Sequence, residues 1–233
     1  MRLLLLNCDI DKNEKTNGAA IIERLVHGRI PGVRIKRVDA FGDKLPNKKL
    51  LRNYAGVIIT GSIASVYERK AWASRLKAFV RQIDLQQIPT FCICFGFQLV
   101  AVSFGGKVVR GKGMIEGFMN VRTNAAGEAN AILKGMRGTF KAYESHQDIT
   151  ARLPNGAVIL ARSDLVEIYA LRNFFCVQFH PEINAGIARI MAVRDKRDIR
   201  KICNGVASNY GRPQSLLLNF VEQNCNRTFS HKR

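Results

Sequence analysis

At 233 residues with 47% apolar content, the chain is long enough to bury a core without metals or disulfide staples. No run of about 18 apolar residues occurs, and Met1-Arg-Leu-Leu-Leu-Leu-Asn-Cys8 is too short for a signal core, which excludes a membrane helix or export signal and points to one soluble, cytoplasmic domain over residues 1–233. Lys and Arg number 37 against 18 Asp and Glu, a formal charge of +19 that attracts acidic partners; the excess is scattered and dense only in residues 189–201 and the tail Arg227, His231, Lys232 and Arg233, which argues for solvated faces rather than a nucleic-acid groove.

Leu3 to Asn7 is a short apolar run that predicts a strand, followed by a polar loop from Asp9 to Asn17 and by Ala19, Ile22, Leu25 and Val26 at helical spacing. The pattern then repeats. Val33 to Val38 and the apolar Ala55 to Thr60 predict strands, and Trp72, Leu76, Phe79, Val80 and Ile83 form one helical stripe. Ile88 to Ile93 predicts a further strand, which runs directly into an apolar helix from Gly96 to Phe104. Strands alternating with helices imply βαβ units and a parallel sheet buried on both faces. From Lys107 the texture changes to short β-like runs separated by Gly, Asn and Pro turns: residues 107–110, 117–122, 138–143, 157–161, 166–171 and 174–177. Two helices, Gly186 to Cys203 and Pro213 to Cys225, close the chain. The expected fold class is α/β: a doubly wound, mostly parallel sheet with helices on both faces and a small antiparallel extension.

Phe91-Cys-Ile-Cys94-Phe-Gly96-Phe-Gln98 joins strand to helix with almost no connecting residues. Such an elbow holds its central side chain in a strained conformation at the sheet's carboxyl edge, and the flanking positions must be small. Gly96 meets that demand better than Cys92. A thiol beside a helix amino end is biased toward thiolate by the unpaired N–H groups and the dipole, so Cys94 is the candidate nucleophile and the Phe95 N–H a candidate oxyanion donor. Cys92-Ile-Cys94 lacks the spacer of a zinc knuckle and has no second Cys or His pair to answer it, so neither metal nor cofactor is expected.

A nucleophilic thiol needs a base, and the base needs an orienting group. Phe175-Cys-Val-Gln-Phe-His180-Pro-Glu182 supplies both: proline breaks the strand, leaving His180 at the same carboxyl edge, and Glu182 can turn back onto the imidazole. His27 and His231 are tied to no motif and read as structural.

Cys94-Phe-Gly-Phe-Gln98, His180-Pro-Glu182 and Ile59-Thr-Gly61-Ser62 together resemble the three signatures of the class I glutamine amidotransferases, in the right order across nearly the whole chain. Thr60-Gly-Ser-Ile-Ala-Ser-Val-Tyr67 and Ser145-His-Gln-Asp148 are most similar to the amidotransferase part of GMP synthetase and its stand-alone relatives. The resemblance implies a γ-glutamyl thioester on Cys94, His180 as general base and then acid, and Glu182 as its orienter. It also implies an oxyanion hole from the N–H groups of Phe95 and Ser62 with Gly61 beside it, and substrate contacts from Gln98, Ser145 and Gln147. Glutamine is then the substrate, with a separate synthetase chain as the ammonia-accepting partner. A free-standing γ-glutamyl hydrolase and a non-catalytic module with a basic surface are the alternatives. Three positions depart from the pattern: Cys92 and Ser62 replace glycines, and Phe97 replaces a histidine.

Overall fold

The computed structural model describes residues 1–42, 44–68, 71–207 and 210–230, with side chains described as far as residue 224. The expectation for the tail Arg227, His231, Lys232 and Arg233 lies outside these side chains. The chain forms β1 (Arg2–Asn7), α1 (Gly18–Arg29), β2 (Arg34–Asp39), α2 (Lys48–Leu51), β3 (Gly56–Ile59), α3 (Ala71–Leu85), β4 (Thr90–Ile93) and α4 (Phe95–Ser103). There follow β5 (Lys107–Thr123), α5 (Ala125–Ala129), a 3-10 turn at Ala131–Leu133, β6 (Thr139–Arg152), β7 (Val158–Arg162), β8 (Val166–Leu171), β9 (Phe174–Val177), α6 (Ala185–Arg194), α7 (Ile199–Ile202) and α8 (Gln214–Ser230).

The nine strands of the described residues share one sheet of order β2-β1-β3-β4-β9-β8-β7-β5-β6. The first five are parallel, and β8, β7, β5 and β6 continue antiparallel, which is the expected architecture. Alternation along each buried strand sends side chains to two cores. Leu3, Leu5, Ile58, Phe91 and Phe175 meet Ala19, Ile22 and Val26 of α1 and Leu216, Leu217 and Phe220 of α8. Leu4, Leu6, Val57, Ile59, Cys92 and Cys176 meet Leu76, Phe79, Val80 and Ile83 of α3 and the apolar α4. Each fully buried Leu or Ile contributes about 1.5–3 kcal/mol, so the four leucines of β1, split between both cores, lock this strand into the sheet.

Several boundaries differ from the sequence expectation for physical reasons. The runs 107–110 and 117–122 are one strand of 17 residues, because a bulge between Arg110 and Ile115 absorbs the glycines at 111 and 113 that read as a turn. The run 138–143 extends through Arg152, so Ser145 to Asp148 lies inside β6 rather than in a loop. The predicted helix 186–203 is two: Lys196 adopts φ +55° after α6, and Asp198 caps α7 by accepting from the N–H of Arg200 and Lys201. The short α2, α5 and the 3-10 turn, each capped by an asparagine, carry too few residues to show a period. Part of the basic run 189–201 is engaged internally, with Arg194 paired to Asp11 and Asp195 and Arg197 paired to Glu116.

Candidate active site

β4 ends at Ile93 and α4 begins at Phe95, leaving only Cys94 to make the turn. Its backbone sits at φ +48°, ψ −96°, a sparsely populated conformation for a residue with a Cβ that costs on the order of 1–3 kcal/mol. Neighbouring bonds hold it there: its N–H donates to the Val177 carbonyl at 2.8 Å, and its own carbonyl accepts from Gln98 N–H at 3.1 Å. The elbow works only because Gly96 packs against the end of β3, where an added Cβ would lie 2.9 Å from the Ile59 carbonyl oxygen. Phe95 is the first residue of α4, so its N–H is one of the four that have no intrahelical acceptor.

β9 pairs with β4 in register, Cys92 opposite Cys176 and Ile93 opposite Val177, and so delivers the segment after Val177 to the elbow. His180 Nδ1 is 2.8 Å from Glu182 Oε1, which commits Nε2 to the other side. The Glu182 side chain is 1% exposed and that of His180 16%. Burial works against the imidazolium, but Glu182 and then Cys94, each as charge and hydrogen-bond partner, outweigh it and raise the His180 pKa well above its ordinary value. The imidazolium form of His180 is therefore favoured beside Cys94. Glu182 is fixed in turn by its surroundings: its carbonyl accepts from Gln214 Nε2 at 3.1 Å, and a methyl on Gly18, the first residue of α1, would stand 3.4 Å from Oε1.

Gly61 closes the third side. An added Cβ there would lie 2.6 Å from His180 Cε1, 3.4 Å from Nε2 and 3.5 Å from Cys94 Cβ, so the loop after β3 presses directly on the pair. Ser62 follows, half-buried, its hydroxyl accepting from Ala64 N–H at 3.2 Å. Replacement of a glycine by serine at this position raises no strain, because Ser62 is not among the residues at positive φ. Gln98, 3% exposed, donates from Nε2 to the Asp148 carbonyl at 3.0 Å and to Gln178 Oε1 at 3.3 Å. Ser145 and Gln147 sit half-buried on the facing stretch of β6. Cys92, a second thiol beside the elbow by sequence, points into the α3–α4 core with Cys176 as its hydrogen-bond partner, away from the cluster that holds Cys94; both are free thiols, and burial raises the Cys92 pKa well above its ordinary value. Phe97 is buried edge-on against Tyr169, 4.6 Å between ring centroids.

Three contributors escaped the sequence reading. Gln178, two residues before His180, aims Nε2 at Cys94 Sγ from 3.7 Å; its one signal was a polar residue in an otherwise apolar run. Tyr143 offers its carbonyl to His180 N–H at 2.8 Å. Tyr67 donates its hydroxyl to Asp148 Oδ1 at 2.9 Å, strapping the loop after β3 to β6; no spacing rule links residues 81 positions apart.

The family model "Glutamine amidotransferase class-I" matches residues 10–197. The chain is 32% identical over 150 residues to gamma-glutamyl peptidase 4 of Arabidopsis thaliana, a stretch covering 62% of this chain and 60% of that one. It is 30% identical over 160 residues to the glutamine-hydrolyzing GMP synthase of Finegoldia magna, covering 65% of this chain and 30% of the relative. The chain thus spans less than two thirds of the length of either. A solved glutamine amidotransferase of Thermotoga maritima superposes with a TM-score of 0.78 at 20% identity, over 96% of this chain and 97% of that one.

Proposed function

That this chain belongs to the class-I glutamine amidotransferase family is the premise from which we propose its activity: hydrolysis of the glutamine side-chain amide through a thioester on Cys94, with the ammonia passed to a separate synthetase chain. The observation that carries the proposal is the approach of three segments to one point, namely Cys94 at a strained elbow, His180 held by Glu182, and Gly61 pressed against both.

In this reading the Cys94 thiolate adds to the amide carbon, and the N–H groups of Phe95 and Ser62 receive the oxyanion. The imidazolium of His180 gives its proton to the amide nitrogen, the C–N bond breaks and ammonia leaves. Water, deprotonated by the now neutral His180, attacks the thioester, and glutamate departs as Cys94 is regenerated. Glu182 keeps the Nδ1 proton in place through both steps, as the third member of such a triad does. Gly61, Gln98, Ser145 and Gln147 line the substrate, and Gln178 steadies the sulfur. Residues 1–233 act as one domain in this account, and a working thiolate with further free cysteines suits the reducing cytoplasm.

A second reading has a specific observation in its favour, the match to gamma-glutamyl peptidase 4: the same site would then release an amine larger than ammonia. One experiment tests both. A glutamine analogue bearing an electrophile should add its mass to Cys94 and fail to do so in Cys94→Ala; kcat/KM should then favour glutamine over γ-glutamyl dipeptides. Absence of labelling sinks the thioester. A preference for dipeptides transfers the assignment to the peptidase reading.

A further inference from the structure

Thr60, the first residue after β3, is fully buried, and hydrolysis as described does not use it. Its backbone N–H donates to the Leu6 carbonyl at 3.1 Å, which carries the pairing of β1 with β3 one step past the strand end. The hydroxyl is more selective. Oγ1 accepts from the Cys8 N–H at 2.8 Å and donates to the Gly61 carbonyl oxygen at 3.1 Å. A hydroxyl carries a single proton, and because the amide of Cys8 supplies its own, the proton of Thr60 is left for Gly61. The contact to β1 therefore fixes the direction of the contact to the loop.

A buried hydroxyl must find partners, and that alone would make Thr60 a satisfied core residue. The acceptor it takes also sets the next peptide. In a planar trans peptide the C=O and the N–H point in opposite directions, and the Gly61 carbonyl shares its peptide with the Ser62 N–H. β3 lies between β1 and β4 in the sheet, and Cys8, Thr60 and Cys94 are the first residues after these three neighbouring strands. The Thr60 hydroxyl, anchored on Cys8, holds the Gly61 carbonyl toward the β1 side. The Ser62 N–H is thereby turned toward the β4 side, where Cys94 stands. This peptide runs directly beside the thiol, since a Cβ on Gly61 would lie 3.5 Å from Cys94 Cβ.

We propose that Thr60 is a positioning residue for the oxyanion site: its hydroxyl orients the Gly61–Ser62 peptide so that the Ser62 N–H faces the oxygen of an acyl group forming on Cys94. β1 gives no side chain to the Cys94, His180 and Glu182 cluster, yet through the Cys8 amide it aims one of the donors. The Ser62 hydroxyl is engaged elsewhere, accepting from the Ala64 N–H at 3.2 Å, which leaves the backbone N–H as the donor to be aimed. The inference rests on the proposed thioester reading and holds for glutamine and for a larger γ-glutamyl amide alike, because both form the same oxyanion. Its test separates the two.

The experiment sets oxyanion formation against simple reaction at sulfur. Thr60→Val keeps the shape of the side chain and removes the hydroxyl. Outright loss of an oxyanion donor costs about 10²–10³ in kcat, and a donor still present but no longer aimed should cost about tenfold. KM should change little, because the charge develops only after the substrate is bound. Thr60→Ser, which keeps the hydroxyl, should recover most of the loss. Iodoacetamide alkylates Cys94 by displacing iodide from a saturated carbon and builds no oxyanion, so its rate, read at the Cys94 peptide by mass spectrometry, should stay at the native value in Thr60→Val. If the valine variant does not fold, Thr60→Cys takes its place, since a thiol fills the space and donates only weakly. Native kcat in the valine or cysteine variant would overturn the proposal. So would a parallel fall in alkylation, which would mean that the hydroxyl shapes the whole elbow, or a serine variant as slow as the valine one. A native protein that hydrolyses neither glutamine nor a γ-glutamyl dipeptide removes the thioester reading and this role with it, whereas native hydrolysis with an indifferent Thr60→Val removes the role alone.

Discussion

The reactive geometry depends on two side chains whose positions leave almost no slack. A methyl at Gly61 would sit 2.6 Å from His180 Cε1, so Gly61→Ala must displace either the loop or the imidazole. A shift of about 1 Å in a catalytic group costs about 10²-fold, and kcat should fall by that order while the melting temperature stays near the native value; an active Gly61→Ala enzyme would mean that the imidazole does not work from this position. The His180–Glu182 contact predicts a pH effect. His180 has a raised folded pKa, so its imidazolium, and the stability that goes with it, is present below the unfolded value of about 6.5 and lost only as pH climbs through the higher folded one. Glu182→Gln removes the leading cause of that elevation and leaves Cys94 alone against burial. The His180 imidazole, followed by NMR, should then titrate at lower pH than in the native protein; an unchanged titration would show that Glu182 does not hold the imidazolium. Both effects concern residues the sequence named. What it missed, Gln178 and the carbonyl of Tyr143, acts through contacts between strands that carry no motif, and a backbone carbonyl leaves no mark on residue identity at all.

The elbow is a property of elements rather than of one cysteine. Gly96→Ala makes the sign instructive: alanine gains about 1 kcal/mol of helix propensity over glycine, whereas its Cβ would press 2.9 Å from the Ile59 carbonyl oxygen, a backbone atom that cannot swing aside. Overpacking of this kind costs about 1–3 kcal/mol, so the clash should win and the urea midpoint should fall. A rise would show that β3 and α4 have room to part. Elements with strong patterns were legible, including β1 to β4 and α1, α3 and α4, whereas β9, read with the antiparallel runs, pairs parallel with β4. The breaks came where geometry overrides composition. The glycines at 111 and 113 look like a turn but serve a bulge, and Gly111 has no space for a side chain, its Cβ position being 2.5 Å from the Gln147 carbonyl oxygen. Lys196 ends α6 at positive φ without the glycine that usually announces such a stop.

At the scale of the molecule, 37 basic against 18 acidic side chains leave a surplus that internal pairs cannot neutralise, although Arg37, Arg172, Arg194 and Arg197 each reach a carboxylate. Repulsion among like charges destabilises the compact state and is screened by salt. Raising ionic strength with sodium chloride should lift the melting temperature by about 2–4 °C, the equivalent of about 1 kcal/mol for a chain of this size; a fall would mean that the ion pairs outweigh the repulsion. The sheet order also bears on biogenesis. β4, which ends at the Cys94 elbow, finds its β9 neighbour 84 positions later in the chain, at Thr90↔Phe174. A nascent chain that has emerged only through β8 presents the thiol without imidazole, carboxylate or the Val177 carbonyl that pins the elbow. Cys94 is therefore synthesised long before the segment that encloses it, and its elbow can be pinned only once nearly the whole sheet has been made.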